Sequence, residues 1–319
     1  MELNQLYCGD SRELIKQLDS NSIDLIITSP PYFNLRSYGD SSLEIGREKK
    51  VEEYIEELIL IFKECKRVCK ETGSIVFNIG DCYLNRCLQL IPFKFAIEAS
   101  KECDLLNTVT WVKKNVTPQN HKRLANSTEP FFHFVNSNKF AYYLDNVREK
   151  YSVNIGDDIG KSYFPLIEKS ELTNEQKEIA YQELIEAISE AKSGKITGFR
   201  MKIKGIHSLP YGGQSGGRMG QIKKKGFFII KFRGNKQVKD IIECATECIK
   251  GGKHPAVYPK IIVEFFVKLL TKEGDIVLDP FIGSGTTAIA ANNLNRNYIG
   301  FDLSEEYIKI AKDRIDGNQ

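Results

Sequence analysis

Thr28-Ser29-Pro30-Pro31-Tyr32 follows an apolar run, and its two successive prolines remove two backbone donors and fix φ. The carbonyls around them are held rigid and left available as acceptors, beside the Ser29 hydroxyl and the Tyr32 ring. Acceptors next to a stacking face suit an amino group on a planar heterocycle, whose N–H bonds need acceptors and whose ring needs a surface. Pro-Pro is equally a common strand-ending turn, so on this motif alone the binding and the purely structural readings stand level.

A second stretch, Asp279-Pro280-Phe281-Ile282-Gly283-Ser284-Gly285-Thr286-Thr287, lies where an apolar run gives way to a helical pattern. Gly283 and Gly285 permit a tight turn and let a ligand approach the backbone, while the helix start behind them offers unpaired N–H groups. By itself Gly-x-Gly is also compatible with a close strand-to-helix packing turn. Here Asp302 ends the next strand pattern, where a carboxylate can accept both hydroxyls of a ribose. The pair points to a nucleoside-containing cofactor, either a nicotinamide dinucleotide or S-adenosylmethionine. The third glycine of the dinucleotide fingerprint is missing, Gly285 being followed by Thr286-Thr287-Ala288, which disfavours a pyrophosphate site. Asp279 is placed to lie near the amino and sulfonium part of S-adenosylmethionine. None of the eight cysteines falls in residues 28–32, which argues against thiolate attack on a ring carbon.

Both motifs require strand ends to present them, and the periodicity supplies these. Residues 22–28 and 74–79 read as buried strands, with helices at 11–18 and 51–70, the latter capped by Gly73. Residues 106–113 and 131–135 read as further strands around a polar loop. At the far end, 258–271, 286–294 and 305–314 read as helices around strands at 275–278 and 298–301. Alternation of this kind predicts an α/β fold with a mostly parallel central sheet flanked by helices, its two halves separated in sequence. Between them Thr173 opens a helix with Gln176 at capping-box distance, and Ala180, Leu184, Ala187, Ile188 and Ala191 share a face.

With 41% hydrophobic and 27% charged residues, the chain has the composition of a globular protein with a substantial core. It has neither a basic-flanked apolar leader nor an uncharged run of about 18 apolar residues, so a cytoplasmic protein with no membrane partner is expected. Cys65/Cys69 and Cys244/Cys248 sit at helical i,i+4 spacing, but the four histidines complete no tetrahedral set, so reduced thiols and no metal are expected. The net charge of +3 hides a sharp polarity. Thirteen of the 45 Lys and Arg fall in residues 192–239, which contain no Asp or Glu; the remainder sets 32 basic against 42 acidic residues, a balance of −10. That stretch includes the glycine-dense segment 211–217, then Arg218, Lys223, Lys224 and Lys225, with Tyr211, Phe227 and Phe228 nearby. It is the footprint expected for contact with a polyanion, the bland alternative being a basic loop with no partner.

The two motifs in this order resemble the amino-methyltransferases of DNA, those acting on adenine N6 or cytosine N4, in the circularly permuted arrangement called the β group. The resemblance implies a Rossmann-like methyltransferase fold and S-adenosyl-L-methionine as cofactor. It assigns residues 1–150 to a catalytic half, 151–238 to an inserted target-recognition region and 239–319 to a cofactor-binding half. Ser29, Pro30, Pro31 and Tyr32 become the catalytic motif, Ser29 and the Pro30 carbonyl accepting from the target amino group. Asp10, Asp279, Pro280, Phe281, Gly283, Gly285, Thr286 and Asp302 become the cofactor site, and His254-Pro255-Ala256 with Pro259 resembles the approach to it. In that family a serine in the first motif position accompanies cytosine more often than adenine, so Ser29 favours cytosine N4. Double-stranded DNA is then the substrate, Arg218, Lys223, Lys224 and Lys225 its contacts, and a cognate restriction endonuclease a candidate partner of a monomer or homodimer. An RNA-directed enzyme shares both motifs; a protein-glutamine methyltransferase has the opposite motif order; a DNA-binding module without catalysis is the alternative from another class.

Overall fold

The computed structural model describes residues 1–34, 44–116, 122–148, 156, 158–207, 218–232, 238–247 and 258–317. In chain order the elements are β1 (Gln5–Cys8), α1 (Ser11–Leu14), β2 (Ile23–Thr28), α2 (Val51–Val68), β3 (Cys69–Asn78), a short hairpin of β4 (Tyr83–Leu84) and β5 (Cys87–Leu88), α3 (Ile91–Ala99), β6 (Asp104–Lys113) and β7 (Thr128–Val135). There follow α4 (Tyr163–Glu168), α5 (Asn174–Lys192), β8 (Gly198–Ile203), α6 (Arg218–Lys225) and β9 (Phe227–Phe232). The last are β10 (Ile241–Cys244), α7 (Lys260–Leu270), β11 (Ile276–Asp279), α8 (Thr286–Asn293), β12 (Asn297–Asp302) and α9 (Glu305–Ile315). Met1–Val147 with Lys239–Gln319 forms one compact unit and Arg148–Val238 a second.

The first unit is built on an eight-stranded sheet in the order β1-β12-β11-β2-β3-β7-β6-β10. Only β7 runs antiparallel to its neighbours. Its central strands are apolar at successive positions because both faces are covered. Period-2 alternation sends Ile26, Ile75, Phe77, Phe132 and Phe134 to a layer with Leu58, Phe62 and Phe95. It sends Leu25, Ile27, Val76 and Phe131 to the opposite layer with Val263, Phe266 and Ala288. Phe62 is the hub of the first layer, its ring edge-on to Phe77, Phe95 and Phe134 at 5.6, 5.8 and 4.9 Å.

The helix over α2 forms as its apolar stripe predicts, with Glu52 and Glu53 in the first turn and Lys66 and Arg67 in the last, matching the helix dipole. Its end corrects the expectation: the backbone turns extended at Cys69 and β3 begins there, with Gly73 inside the strand. Cys65 and Cys69 are therefore not a pair on one helix, and both are buried.

In the second unit, Thr173 and Gln176 make the full capping box that starts α5, and Ala180, Leu184, Ala187 and Ala191 are buried along it. They pack with Phe199, Met201, Ile203 and Phe227 from the antiparallel pair β8–β9. Phe227 and Phe228 are 0% and 3% exposed. The expectation that they accompany a nucleic-acid surface is thus corrected: Phe227 packs in the core of the unit, and Phe228 is buried as well.

Candidate functional site at the strand-order reversal

Between β11 and β2, neighbours in the sheet, the direction of winding reverses. From β11 the chain passes through α8 to β12 on one side, and from β2 through α2 to β3 on the other. A crevice outside the carboxyl ends of the strands at such a reversal is where open α/β sheets bind ligands. Both sequence motifs start at these two strand ends.

Asp279 joins them. Its Oδ1 accepts the Thr28 hydroxyl at 2.5 Å and the Phe281 N–H at 3.0 Å, and its Oδ2 accepts the hydroxyls of Thr287 at 2.6 Å and Tyr258 at 3.2 Å. Burial raises its carboxyl above the ordinary range even against these four donors. Its hydrogen bonds go to protein groups, so its action on a ligand runs through the loops it holds.

The loop after β11 presents Phe281, half-buried, and Gly283, whose N–H donates to Asp302 Oδ2 at 3.0 Å. Gly285 has φ +85°, and a Cβ there would lie 2.8 Å from the Ala311 Cβ, so glycine alone fits the turn into α8. No side chain caps the start of α8, which leaves its first N–H groups without a side-chain acceptor. Thr286 Oγ1 is buried at this point without a hydrogen-bond partner. An orphaned buried hydroxyl costs about 1–3 kcal/mol unless a ligand satisfies it, which is what a nucleoside site asks for here.

Asp302, at the end of β12, also accepts the Ser304 N–H at 2.8 Å, and burial pushes its carboxyl up to about 6 against these backbone donors. The end of β1 is drawn in by Gly9 N–H to Asp302 O at 2.9 Å and by the Ser11 hydroxyl donating to Pro280 O. Asp10 thereby stands beside the same crevice. Burial opposes its ionisation, but Arg12, bonded through its backbone and its guanidinium, outweighs this and holds the carboxyl below the usual range.

On the β2 side, the Pro31 carbonyl accepts the Tyr54 hydroxyl at 2.8 Å, whereas no described residue donates to the Pro30 carbonyl. Ser29 Oγ lies 3.3 Å from Tyr32 Oη and donates to it. The Tyr32 hydroxyl reaches Asn78 Oδ1 at 2.8 Å and Glu129 Oε2 at 3.1 Å, and Lys113 is ion-paired to Glu129. A Cβ on Gly80 would collide with the Tyr32 ring, so the ring occupies space that only glycine leaves.

A family model described as DNA methylase, covering the N6 and N4 enzymes, matches residues 23–313. The chain belongs to the N6/N4 DNA methylase family. Among relatives of this methylase, the Type II methyltransferase M.BglII of Bacillus subtilis is 28% identical over 320 residues, spanning 99% of this chain and 69% of the relative. M.SmaI of Serratia marcescens, also a Type II methyltransferase, is 24% identical over 341 residues, spanning 98% and 90%. The structure of PvuII DNA methyltransferase (cytosine-N4-specific) has TM-score 0.61 at 18% identity, covering 97% of this chain and 85% of that one. TTHA0409 of Thermus thermophilus, complexed with S-adenosyl-L-methionine, has TM-score 0.56 at 20% identity, covering 98% and 93%. These likenesses establish the methylase's fold as the Rossmann-like methyltransferase fold, a mostly parallel sheet between helices.

The methylase's basic stretch is partly neutralised within its own unit. Lys195 pairs with Glu190, Lys225 with Glu183, and Lys231 with Glu186 and Glu190, all acids of α5. Lys223 and Lys224 are exposed and pair with no described residue. Arg218 begins α6, and Tyr211, the glycine-dense segment and His254-Pro255-Ala256 lie outside the described residues. Pro259 is the N-cap of α7. Asn78, Gly80, Lys113, Glu129, Ser11 and Tyr258 carry no local motif, and sequence reasoning did not find them. Among the described residues no helix is long and apolar enough to cross a membrane.

Proposed function

We propose that this chain transfers a methyl group from S-adenosyl-L-methionine to the exocyclic amino group of a base in double-stranded DNA, cytosine N4 ahead of adenine N6. The observation that carries the reading is the Thr28–Asp279 hydrogen bond, which locks an acceptor motif and a nucleoside-type loop side by side. The cofactor supplies a strongly electrophilic sulfonium methyl, so the protein's task is alignment.

The Thr286 hydroxyl, the open start of α8 and the Gly283–Gly285 loop fit a nucleoside. Asp302 is then the ribose acceptor, Asp10 lies toward the adenine edge, and Phe281 against the ring. Ser29 and the unengaged Pro30 carbonyl accept the two N–H bonds of the target amino group. In doing so they draw its nitrogen toward tetrahedral geometry and stabilise the positive charge that develops there. Tyr32 offers the stacking face. The base must leave the duplex first, which costs a few kcal/mol that backbone contacts offset. Residues 151–238 are the target-recognition region in this reading, with Arg218, Lys223 and Lys224 on phosphates. Burial of Phe227 and Phe228 removes a stacking platform for single-stranded RNA at that place.

Ser29 supports cytosine over adenine, the motif order supports membership of the β group, and a cognate restriction endonuclease is the partner such an enzyme guards against. The test is transfer of a labelled methyl group from S-adenosyl-L-methionine to methylation-free duplex DNA, with total RNA as the competing acceptor. Label in DNA alone supports the reading; label in RNA alone overturns it.

A further inference from the structure

Tyr32 is held more firmly than a stacking ring requires. Gly80 gives its ring a slot, Ser29 donates to its oxygen, and the hydroxyl reaches Asn78 and Glu129, the side chain of Asn78 being fixed in turn by its amide donating to Pro130 O at 3.0 Å. Glu129 opens onto a longer chain of contacts. Its other oxygen accepts from Lys113; the Lys113 ammonium lies 5.1 Å from the centre of the Trp111 ring, and Trp111 Nε1 donates to Cys244 O at 3.1 Å. A line of contacts thus runs from the edge strand β10 through β6 and β7 to the catalytic loop after β2.

The Lys113–Glu129 pair is an expensive way to hold a sheet together. The two side chains are 17% and 12% exposed, and removing two charges from water to that degree carries a desolvation cost that their attraction must repay. An apolar pair on the same strands would stabilise the fold as well. What the ion pair adds is direction: it fixes a carboxylate oxygen within 3.1 Å of the Tyr32 hydroxyl. Resting on the methyltransferase reading above, we propose that Glu129, clamped by Lys113, is a positioning residue that sets the Tyr32 ring against the target base and so governs the rate of methyl transfer. Misplacement of a reacting group by about 1 Å lowers rates on the order of a hundredfold, so a loosened ring shows itself in turnover.

The experiment is a cycle of Glu129→Ala, Tyr32→Phe and the double variant, assayed for kcat and KM on methylation-free duplex DNA, with S-adenosyl-L-methionine affinity measured by calorimetry on each. Glu129→Ala should lower kcat at least about tenfold while cofactor affinity stays within about twofold, because the Thr28–Asp279 side is untouched. Tyr32→Phe, which deletes only the hydroxyl, should cost a similar factor, and the double variant no more than the larger single loss. Glu129→Gln, which keeps an acceptor for the hydroxyl, should recover part of the turnover. If Glu129→Ala does not fold, Glu129→Gln takes its place in the cycle with the same expectation of non-additivity. Losses that multiply, or an unchanged kcat in a folded Glu129 variant, overturn the proposal. A wild-type protein that methylates no DNA overturns the methyltransferase reading instead, so the two failures are distinct.

Discussion

The hydroxyl of Thr28 and the carboxylate of Asp279, 251 residues apart in sequence, meet at 2.5 Å in the buried seam between β2 and β11. Each ends the strand that delivers one motif, so this bond fixes how far the acceptors at Ser29 and Pro30 stand from the loop at Gly283. Thr28→Val keeps the shape of the side chain and removes the donor. It should destabilise the protein by about 1–3 kcal/mol, because a buried acceptor loses a partner, and should raise the Asp279 carboxyl further. Denaturant unfolding with intrinsic fluorescence measures the first effect; an unchanged midpoint would show that the joint is idle.

Asp302 predicts a pH dependence of cofactor binding. Burial pushes its carboxyl up to about 6, and in the ribose role proposed for it the hydroxyls would bind the anion. Affinity should be level above about pH 7 and fall by up to about tenfold per unit below about pH 6, and Asp302→Asn should abolish that slope while weakening binding throughout. The stability consequence has the opposite sense: the raised value contributes stability that is present at low pH and lost as pH rises through about 6. Calorimetry and thermal unfolding over the same pH series check both.

The lysines of the second unit separate into clamped and available ones. Lys223→Ala with Lys224→Ala should lower the slope of log affinity against log salt by about 2, since each phosphate contact releases about one counterion. Lys231→Ala, whose ammonium is engaged by Glu186 and Glu190, should leave the slope unchanged. Equal slopes for all three proteins would contradict the role given to α6.

Much of this arrangement was legible in the sequence, and the boundary has physical causes. The two motifs announce themselves because chain reversals at strand ends need residues with unusual backbone behaviour at short spacing, φ fixed at Pro30-Pro31 and left free at Gly283 and Gly285. Central strands such as β2 and β11 are readable as apolar runs because both their faces are covered. The junction at Cys69 is not, since the chain passes from helix to strand with no proline or glycine to mark it. Glu129, Lys113 and Asn78 are invisible for another reason: they meet Tyr32 only through the lateral order of β3, β7 and β6, which no local spacing encodes. The acid-free charge run is visible in the sequence, but its partial neutralisation by Glu183, Glu186 and Glu190 depends on α5 packing against β8 and β9.

Nucleoside mass spectrometry of DNA from a methylation-free host expressing this protein, beside the same host expressing Ser29→Ala, tests the central claim most directly. N4-methylcytosine with the unmutated protein and its near absence with Ser29→Ala is the predicted result. N6-methyladenine instead would contradict the use made of Ser29, and no methylated base from folded protein that binds S-adenosyl-L-methionine would contradict the assignment of DNA as substrate.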